Sequence, residues 1–192
     1  MRFLFILIFF FFCFNHYLFA NNSLTEFLVS KPSMPDPRFQ ESVIVMFYHN
    51  STGATGLVIN KPLKNITINE LFEVNNIKPP KNLIKKEITL FWGGPVKPEQ
   101  IFFIHSSDYT NKNNLFSNDN YTVSQSPNIL IDIAKNKGPK KYLIFSGIST
   151  WSPNQLDSEL IRNHWEKRVN NYTSPFDNSK ELWKNLLNSK DI

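Results

Sequence analysis

Few side chains in this 192-residue chain have the types and spacing that catalysis or metal binding requires. Beyond an apolar N-terminal segment, histidine occurs at His49, His105 and His164, which are far apart and form no H-x-H or H-x-x-x-H pair. Zinc sites commonly draw ligands from such short spacings. Cys13 is the only cysteine and lies in the apolar segment, so the rest of the chain has no disulfide and no thiolate. We therefore predict no metal and no cofactor.

The serine and glycine motifs that would signal catalysis are incomplete. Ser146 follows phenylalanine and lacks the first glycine of a G-x-S-x-G nucleophile elbow, which leaves a cryptic hydrolase only as an alternative. Gly53-x-x-Gly56 has neither the lysine-serine pair nor the helix of a phosphate loop. Gly93-Gly94-Pro95 is typical of a tight turn, and its alternative role is close backbone approach to a ligand. No catalytic residue is assigned.

Two different roles, one structural and one functional, are consistent with the sequence around Trp151. It directly precedes Ser152-Pro153, a pattern typical of a helix N-cap followed by proline at the first helical position. One hypothesis is a hydrophobic staple that packs on the helix. The other places the indole at the edge of a ligand groove, where the helix start favours a carboxylate or phosphate. The candidate binding residues of the chain are His49, Asn60, Gly93, Gly94, His105 and Trp151.

The elements that must position these residues begin with a hairpin. Apolar runs at residues 43–48 and 57–59 flank a polar segment that carries Gly53 and Gly56, which is typical of two strands joined by a turn. The first run is apolar at nearly every position, so its strand is predicted to be buried on both faces. Pro62 ends the second strand soon after Asn60, because proline has no backbone donor.

The rest of the chain reads as further strands with a few helices. Strands are predicted over residues 24–29, 87–92, 101–105, 121–123, 142–145 and 169–172. Helices are predicted from the Thr67–Glu70 capping box, from Ser126-Pro127 to Ala134, from Ser152 through Trp165, and around Leu182 to Leu187. Residues 106–120 show no periodicity and are predicted to be the longest loop. Strands outnumber helices without alternating with them, so the fold class is α+β.

The first twenty residues are predicted to be an export leader. Arg2 precedes an unbroken apolar run over residues 3–14, and Ala20 is a small residue at a possible cleavage site. The alternatives are an uncleaved membrane anchor and a mis-assigned start. We expect residues 21–192 to form a single domain in the periplasm, or one held at the membrane by the leader alone. The absence of disulfides suits a periplasmic protein better than a disulfide-rich secreted one.

The charge pattern disfavours nucleic acid as the partner. Removal of the leader with Arg2 lowers the formal net charge from +5 to +4, and the lysines are dispersed among asparagines. The pairs Lys85-Lys86 and Lys140-Lys141 are predicted to lie in loops as solvated surface. No stretch forms the concentrated basic stripe of a nucleic-acid groove.

Four ordered segments together resemble the YqgE/AlgH family, also called UPF0301. They read K-P-S-M-P-D-P-R-F-Q-E-S-V from Lys31, G-A-T-G-L-V-I-N-K-P from Gly53, W-G-G-P-V from Trp92 and F-S-G-I-S-T-W-S-P-N-Q-L from Phe145. Thr150 and Asn154 stand where the family pattern has glycine, and Asp157 stands where it has glutamate. The resemblance implies a bent, mostly antiparallel sheet folded into a pseudo-barrel, with helices packed outside.

The resemblance leaves the function open, because the family has no settled biochemical activity. Our hypothesis is a non-enzymatic binding or regulatory domain that acts outside the cytoplasm, with an unknown protein or small ligand as its partner. A transcriptional regulator that contacts nucleic acid, which the AlgH name implies, is the first alternative. A cryptic hydrolase is the second.

Overall fold

The computed structural model describes residues 25–81, 86–170 and 173–189. Its ten strands are β1 Thr25–Ser30, β2 Val43–Asn50, β3 Gly53–Val58, β4 Pro62–Thr67, β5 Glu87–Trp92, β6 Val96–His105, β7 Asn114–Ser117, β8 Thr122–Ser124, β9 Tyr142–Trp151 and β10 Trp165–Asn170. Its α-helices are α1 Ile68–Val74, α2 Pro127–Ala134, α3 Gln155–Ile161 and α4 Leu182–Asn188. The predicted leader lies outside the described residues. None of the described helices has both the length and the apolar character needed to cross a bilayer.

The strands form one curled, half-barrel sheet, as the sequence predicts for an α+β fold. The order along its main path is β10-β1-β2-β3-β9-β6-β8-β7, and the β4–β5 pair joins through β5. All pairings are antiparallel except β5 with β9, where Leu90 lies opposite Ile144. Strand β9 therefore has three partners, because it also pairs with β3 and β6.

The helices cover separate parts of the core. Leu182 and Leu186 of α4 pack with the residues of β1, β2 and β3 that include Phe27, Val45 and Leu57. Helices α1 and α2 bury their apolar faces against β5, β6 and β9. Leu156 of α3 packs with Trp151 and Trp165 in a third cluster. Burial of these apolar faces is the main stabilising contribution to such a fold.

Several sequence predictions are confirmed in detail. Strand β5 has the predicted bounds. Helix α1 begins with the predicted capping box, in which Thr67 Oγ1 accepts from the amide of Glu70 and the Glu70 carboxylate accepts from the amide of Thr67. The hairpin of β2 and β3 is present, with a shorter turn than predicted, so that Gly53 and Gly56 lie within β3.

Other predictions are wrong, and each error lengthens or adds a strand. Strand β3 ends at Val58, before Pro62 as predicted, but Pro62 begins a further strand, β4, that the sequence did not predict. The predicted loop over residues 106–120 contains β7. Strand β9 continues beyond its predicted end at residue 145 to Trp151. Helix α3 ends at Ile161, so Trp165 belongs to a strand that pairs with β1 and not to the helix.

Candidate functional site

One partly enclosed cleft lies where segments distant in sequence meet. Its volume is about 330 Å³. Its walls come from the loop over residues 34–39, Pro95, the end of β9, helix α3 and the beginning of β10. We call it the tryptophan cleft, after Trp151 and Trp165, which both line it. It brings together three of the four segments noted in the sequence.

A carboxylate joins the two tryptophans. Glu159 Oε2 accepts hydrogen bonds from Nε1 of Trp151 at 3.0 Å and from Nε1 of Trp165 at 2.7 Å. Its Oε1 accepts from Nε2 of Gln155 at 2.9 Å. In the part of the chain that the structure describes, no cation pairs with Glu159. Three neutral donors therefore stabilise this carboxylate, and hydrogen bonds to a charged acceptor are among the stronger ones in proteins.

Aromatic rings build the apolar side of the cleft. The rings of Trp151 and Trp165 meet edge to face, with centroids 6.1 Å apart and planes at 83°. Phe39 packs against Trp165 at 5.6 Å and against Trp92 at 5.2 Å. Such tilted and edge-on pairs are favourable arrangements of aromatic rings, and they fix the position of each ring. Trp151 and Trp165 are both buried, so only a small part of each ring faces the cleft.

The mouth of the cleft carries charges of both signs. Arg38 donates to Asp36 from Nε at 3.0 Å and from Nη2 at 2.7 Å, and this hydrogen bonding holds the pKa of the Asp36 carboxyl below its usual value. Arg162 also lines the cleft; it is exposed and has no ion-pair partner among residues 25–81, 86–170 and 173–189. The lining is therefore mixed in charge and polarity.

The start of α3 positions these groups. The amide of Ser152 donates to Oε1 of Gln155 at 3.1 Å. The predicted N-cap at Ser152 with proline at the first helical position is nevertheless wrong, because α3 begins at Gln155 with Asn154 as its N-cap and without a side-chain cap hydrogen bond. Asn154 has φ of 61°, a left-handed conformation that glycine adopts freely and asparagine tolerates. Gln155 thus links the turn on one side to Glu159 on the other.

His49 lies outside the cleft, in a short chain of polar contacts. Lys167 Nζ is 3.2 Å from Nδ1 of His49, and Nε2 of His49 is 3.3 Å from Oδ1 of Asp157. Because an ammonium group can only donate, Nδ1 accepts and Nε2 carries the imidazole proton. Lys167 also lies 3.4 Å from Oε1 of Glu26. The contacts of His49 therefore join β2, β10 and α3.

Asn60, Gly93 and Gly94 contact the protein backbone and do not line the tryptophan cleft. Asn60 Oδ1 accepts from the amide of Val43 at 2.8 Å, and its Nδ2 donates to the carbonyl of Glu41 at 2.8 Å. A Cβ on Gly93 would lie 2.3 Å from the carbonyl oxygen of Gly147, and one on Gly94 would lie 2.2 Å from the backbone of Ile148. The glycines permit the close approach of two backbones behind the cleft.

His105 is the last residue of β6, where it is buried opposite Tyr142 at the start of β9. Its Nδ1 lies 2.9 Å from the carbonyl of Ser106, and its Nε2 has no hydrogen-bond partner among the described residues. Burial lowers the pKa of His105 below its usual value. The ring packs edge-on against Tyr109, whose hydroxyl donates to Asp132 at 2.6 Å. Burial and this carboxylate raise the pKa of Tyr109 to about 12.

The structure also locates the serine considered as a nucleophile. Ser146 Oγ donates to the carbonyl of Pro98 at 2.6 Å. The described residues contain no group of three or more His, Cys, Asp and Glu side chains that could hold a metal ion. Of the six candidate binding residues, only Trp151 lines the tryptophan cleft.

Comparison with known proteins identifies the family. The profile of the family described as AlgH-like (DUF179) matches residues 27–192. The chain belongs to the AlgH-like family. A UPF0301 protein of Legionella pneumophila (strain Lens) is 38% identical over 140 residues, which cover 73% of this chain and 74% of that protein. A UPF0301 protein of Sphingopyxis alaskensis is 34% identical over 140 residues, which cover 73% of each.

Solved structures agree with this assignment. The solution structure of the AlgH protein from Pseudomonas aeruginosa matches with a TM-score of 0.70 and 29% identity, over 89% of this chain and 91% of that one. A crystal structure of a Corynebacterium diphtheriae protein shares the fold, with a TM-score of 0.56 and 18% identity over 76% of this chain and 74% of that one.

Two departures from the AlgH-like sequence pattern have a structural explanation. Asn154 replaces a glycine at a left-handed position that asparagine tolerates. Thr150 replaces a glycine within β9, where it lies opposite Thr55 in regular antiparallel pairing, so a β-branched residue is favourable there. Asn154 and Thr150 therefore each fit the backbone that they occupy.

Glu159 and Trp165 are the residues of the cleft that sequence reasoning missed. The helical spacing of the sequence predicts Trp165 to be part of a helix and assigns no role to Glu159. A signal was present, because Gln155 and Glu159 are four residues apart and so share one face of a helix that starts just after Trp151.

Proposed function

We propose that this AlgH-like chain is a non-enzymatic binding domain that holds a segment of another protein in the tryptophan cleft. The observation that carries the proposal is the position of Glu159, a carboxylate set between two indoles and held by neutral donors alone among its described contacts. Ligand sites commonly combine an apolar, aromatic wall with a few fixed polar groups.

The mixed lining favours a peptide as the ligand. An extended peptide offers backbone donors and acceptors together with apolar and charged side chains. Asp36 and Arg38 neutralise each other at the mouth, which leaves the charges of Glu159 and Arg162 to meet groups of the ligand. A cationic side chain would lie next to Glu159 and the aromatic rings, where both interactions favour positive charge.

We further propose that the domain acts outside the cytoplasm, delivered by the leader over residues 1–20. The sequence of Arg2 followed by an apolar run supports this proposal. The test is to determine the N-terminal sequence and the cell fraction of the expressed protein. A mature start at Asn21 in the periplasmic fraction supports export, whereas an intact chain in the cytosol contradicts it.

The binding proposal is tested with a panel of short acidic, basic and neutral peptides against the ¹⁵N-labelled protein. We expect basic peptides to shift the indole Nε1 resonances of Trp151 and Trp165. Glu159→Gln should weaken that binding at least tenfold, while the exposed control Glu73→Gln should leave it unchanged. Indole resonances that stay fixed with every peptide, or conversion of a peptide to products, would contradict the proposal.

A further inference from the structure

Three lysines from segments far apart in sequence meet in the fold. Lys86 directly precedes β5, and Lys140 and Lys141 directly precede β9. These two strands are parallel neighbours, with Leu90 opposite Ile144. Parallel strands begin at the same edge of a sheet, so the basic residues before them gather there.

The three lysines line one groove with a volume of about 570 Å³. Lys86 Nζ lies 5.1 Å from the ring centroid of Tyr142, a distance at which an ammonium group is attracted to an aromatic face. Leu143 and Phe176 are half-buried apolar residues of the same groove. The groove thus joins a cationic rim to a flat, apolar and aromatic wall. It shares no lining residue with the tryptophan cleft.

Nearby carboxylates neutralise only part of the charge in this groove. Among residues 25–81, 86–170 and 173–189, no carboxylate forms an ion pair with Lys86, Lys140 or Lys141. Asp177 is the acidic residue of the lining, and its Oδ1 accepts from the amide of Ser179 at 3.3 Å. Asp108 also interacts electrostatically with Lys140. Three ammonium groups against these two carboxylates leave a positive surplus that favours an anion.

The backbone that carries the lysines is fixed. The amide of Lys141 donates to Oγ of Ser106 at 3.0 Å, and the amide of Lys140 donates to Oδ2 of Asp108 at 3.3 Å. The carbonyl of Lys86 accepts from the amide of Ile68 at 3.0 Å, at the start of α1. Fixed backbone positions reduce the entropy that a ligand must remove when it binds.

We propose that this groove binds a nucleotide. The lysine amino groups hold the phosphate, and the base rests on Tyr142 and Phe176. Lysine is a common phosphate ligand, and stacking of a base on an aromatic side chain is a sequence-independent interaction. A phosphate without a base uses only half of this surface, and a nucleoside without phosphate uses only the other half.

The test is to titrate the purified full chain with adenosine monophosphate, inorganic phosphate and adenosine, with ¹⁵N resonances as the readout. We expect the monophosphate to bind at least tenfold more tightly than phosphate or adenosine, with shifts at the amides of Tyr142 and Leu143. Binding of inorganic phosphate as tight as that of the nucleotide would contradict the proposal.

Lysine variants distinguish a specific nucleotide site from non-specific attraction of an anion to the positive net charge of the protein. The triple substitution Lys86→Gln, Lys140→Gln and Lys141→Gln should weaken nucleotide binding at least tenfold. The matched triple Lys78→Gln, Lys135→Gln and Lys137→Gln removes the same charge from exposed positions elsewhere and should leave binding unchanged. Equal losses in both triples overturn the proposal, because they show attraction to net charge alone.

A tyrosine variant and a nucleic-acid probe complete the experiment. Tyr142→Ala should weaken binding of the nucleotide but not of inorganic phosphate, and dispersed amide resonances confirm that the variant is folded. A twelve-residue oligothymidylate is the nucleic-acid probe. If it binds through the same lysines with a steep salt dependence while the mononucleotide does not bind, the groove is a nucleic-acid site and the nucleotide proposal fails.

Discussion

Trp151 and Trp165 donate their indole protons to the same carboxylate oxygen, Oε2 of Glu159, from opposite ends of helix α3. Trp151 ends the strand before the helix, and Trp165 begins the strand after it. The single helical residue Glu159 therefore ties β9 to β10 and fixes the short helix between them. The same contacts define the tryptophan cleft.

Replacement of Glu159 tests this connection. Glu159→Gln keeps the size of the side chain but replaces a charged acceptor by a neutral amide, which cannot accept as strongly from two indoles. We expect the free energy of unfolding to fall by about 1–3 kcal/mol. Urea unfolding followed by tryptophan fluorescence measures it. The exposed control Glu73→Gln should stay close to wild type, and equal stability of all three proteins would show that the bridge contributes nothing.

Asn60 is expected to act on stability and not on binding. Asn60→Ala removes the acceptor of the Val43 amide and the donor to the Glu41 carbonyl, and should cost about 1–3 kcal/mol. Asn60→Asp keeps the acceptor but sets a carboxylate oxygen against the carbonyl oxygen of Glu41, so it should cost at least as much as alanine. Chemical unfolding of both variants, with the exposed control Asn69→Ala, measures these costs. An Asp variant as stable as wild type would show that the bond to Glu41 contributes nothing.

His105 should make stability depend on pH. Burial lowers its folded-state pKa below the unfolded value of about 6.5, so the unfolded chain binds the proton more tightly. The contribution of neutral His105 is present above about pH 6.5 and is lost as pH falls from there toward the folded-state pKa. Asp108 and Ser106 oppose the shift but do not cancel it.

The measurement is urea unfolding between pH 5.0 and pH 8.5 for wild type and His105→Phe. The phenylalanine variant has no proton to take up, so its stability should fall less between pH 7.5 and pH 5.5. Above pH 7.5 the two curves should run parallel. Identical curves across the whole range would show that His105 does not titrate differently in the two states.

Ser146 is expected to be structural. Ser146→Ala removes the hydrogen bond to the carbonyl of Pro98 and should cost about 0.5–1.5 kcal/mol. A panel of ester, phosphate and peptide substrates should give the same rates for wild type, Ser146→Ala and the neighbouring control Ser149→Ala. An activity that disappears only in Ser146→Ala would establish the hydrolase alternative instead.

The sequence predicts a helix or strand correctly where the interactions that form it lie within one short stretch of residues. The capping box at Thr67 and Glu70 is an interaction between residues three apart, so its residue types predict it. The bounds of β5 likewise follow from an apolar run between breakers. The fold class followed from the count and order of such elements, and the family resemblance supplied the curled sheet.

The elements that the sequence predicts wrongly depend on pairing between strands that are far apart in the chain. The segment from Ser146 to Thr150 has the small residues of a connection, yet it is a strand because β3 and β6 provide partners for it. Trp165 has helical spacing from Leu160 and Ile161, but its backbone pairs with Ser30 of β1. The lysine groove is non-local in the same way, since the parallel neighbours β5 and β9 bring Lys86 into one groove with Lys140 and Lys141.

Strand β9 also sets the order in which this fold can be completed. Its partners β3, β5 and β6 all precede it in the chain, so during synthesis they leave the ribosome before their common neighbour exists. Strand β10, which is one of the partners of β1, is synthesised even later than β9. Until then the nascent chain carries open strand edges, which are the part of a β-protein most prone to aggregate. The last quarter of the chain is thus the part that closes the fold, and folding of this protein follows its synthesis.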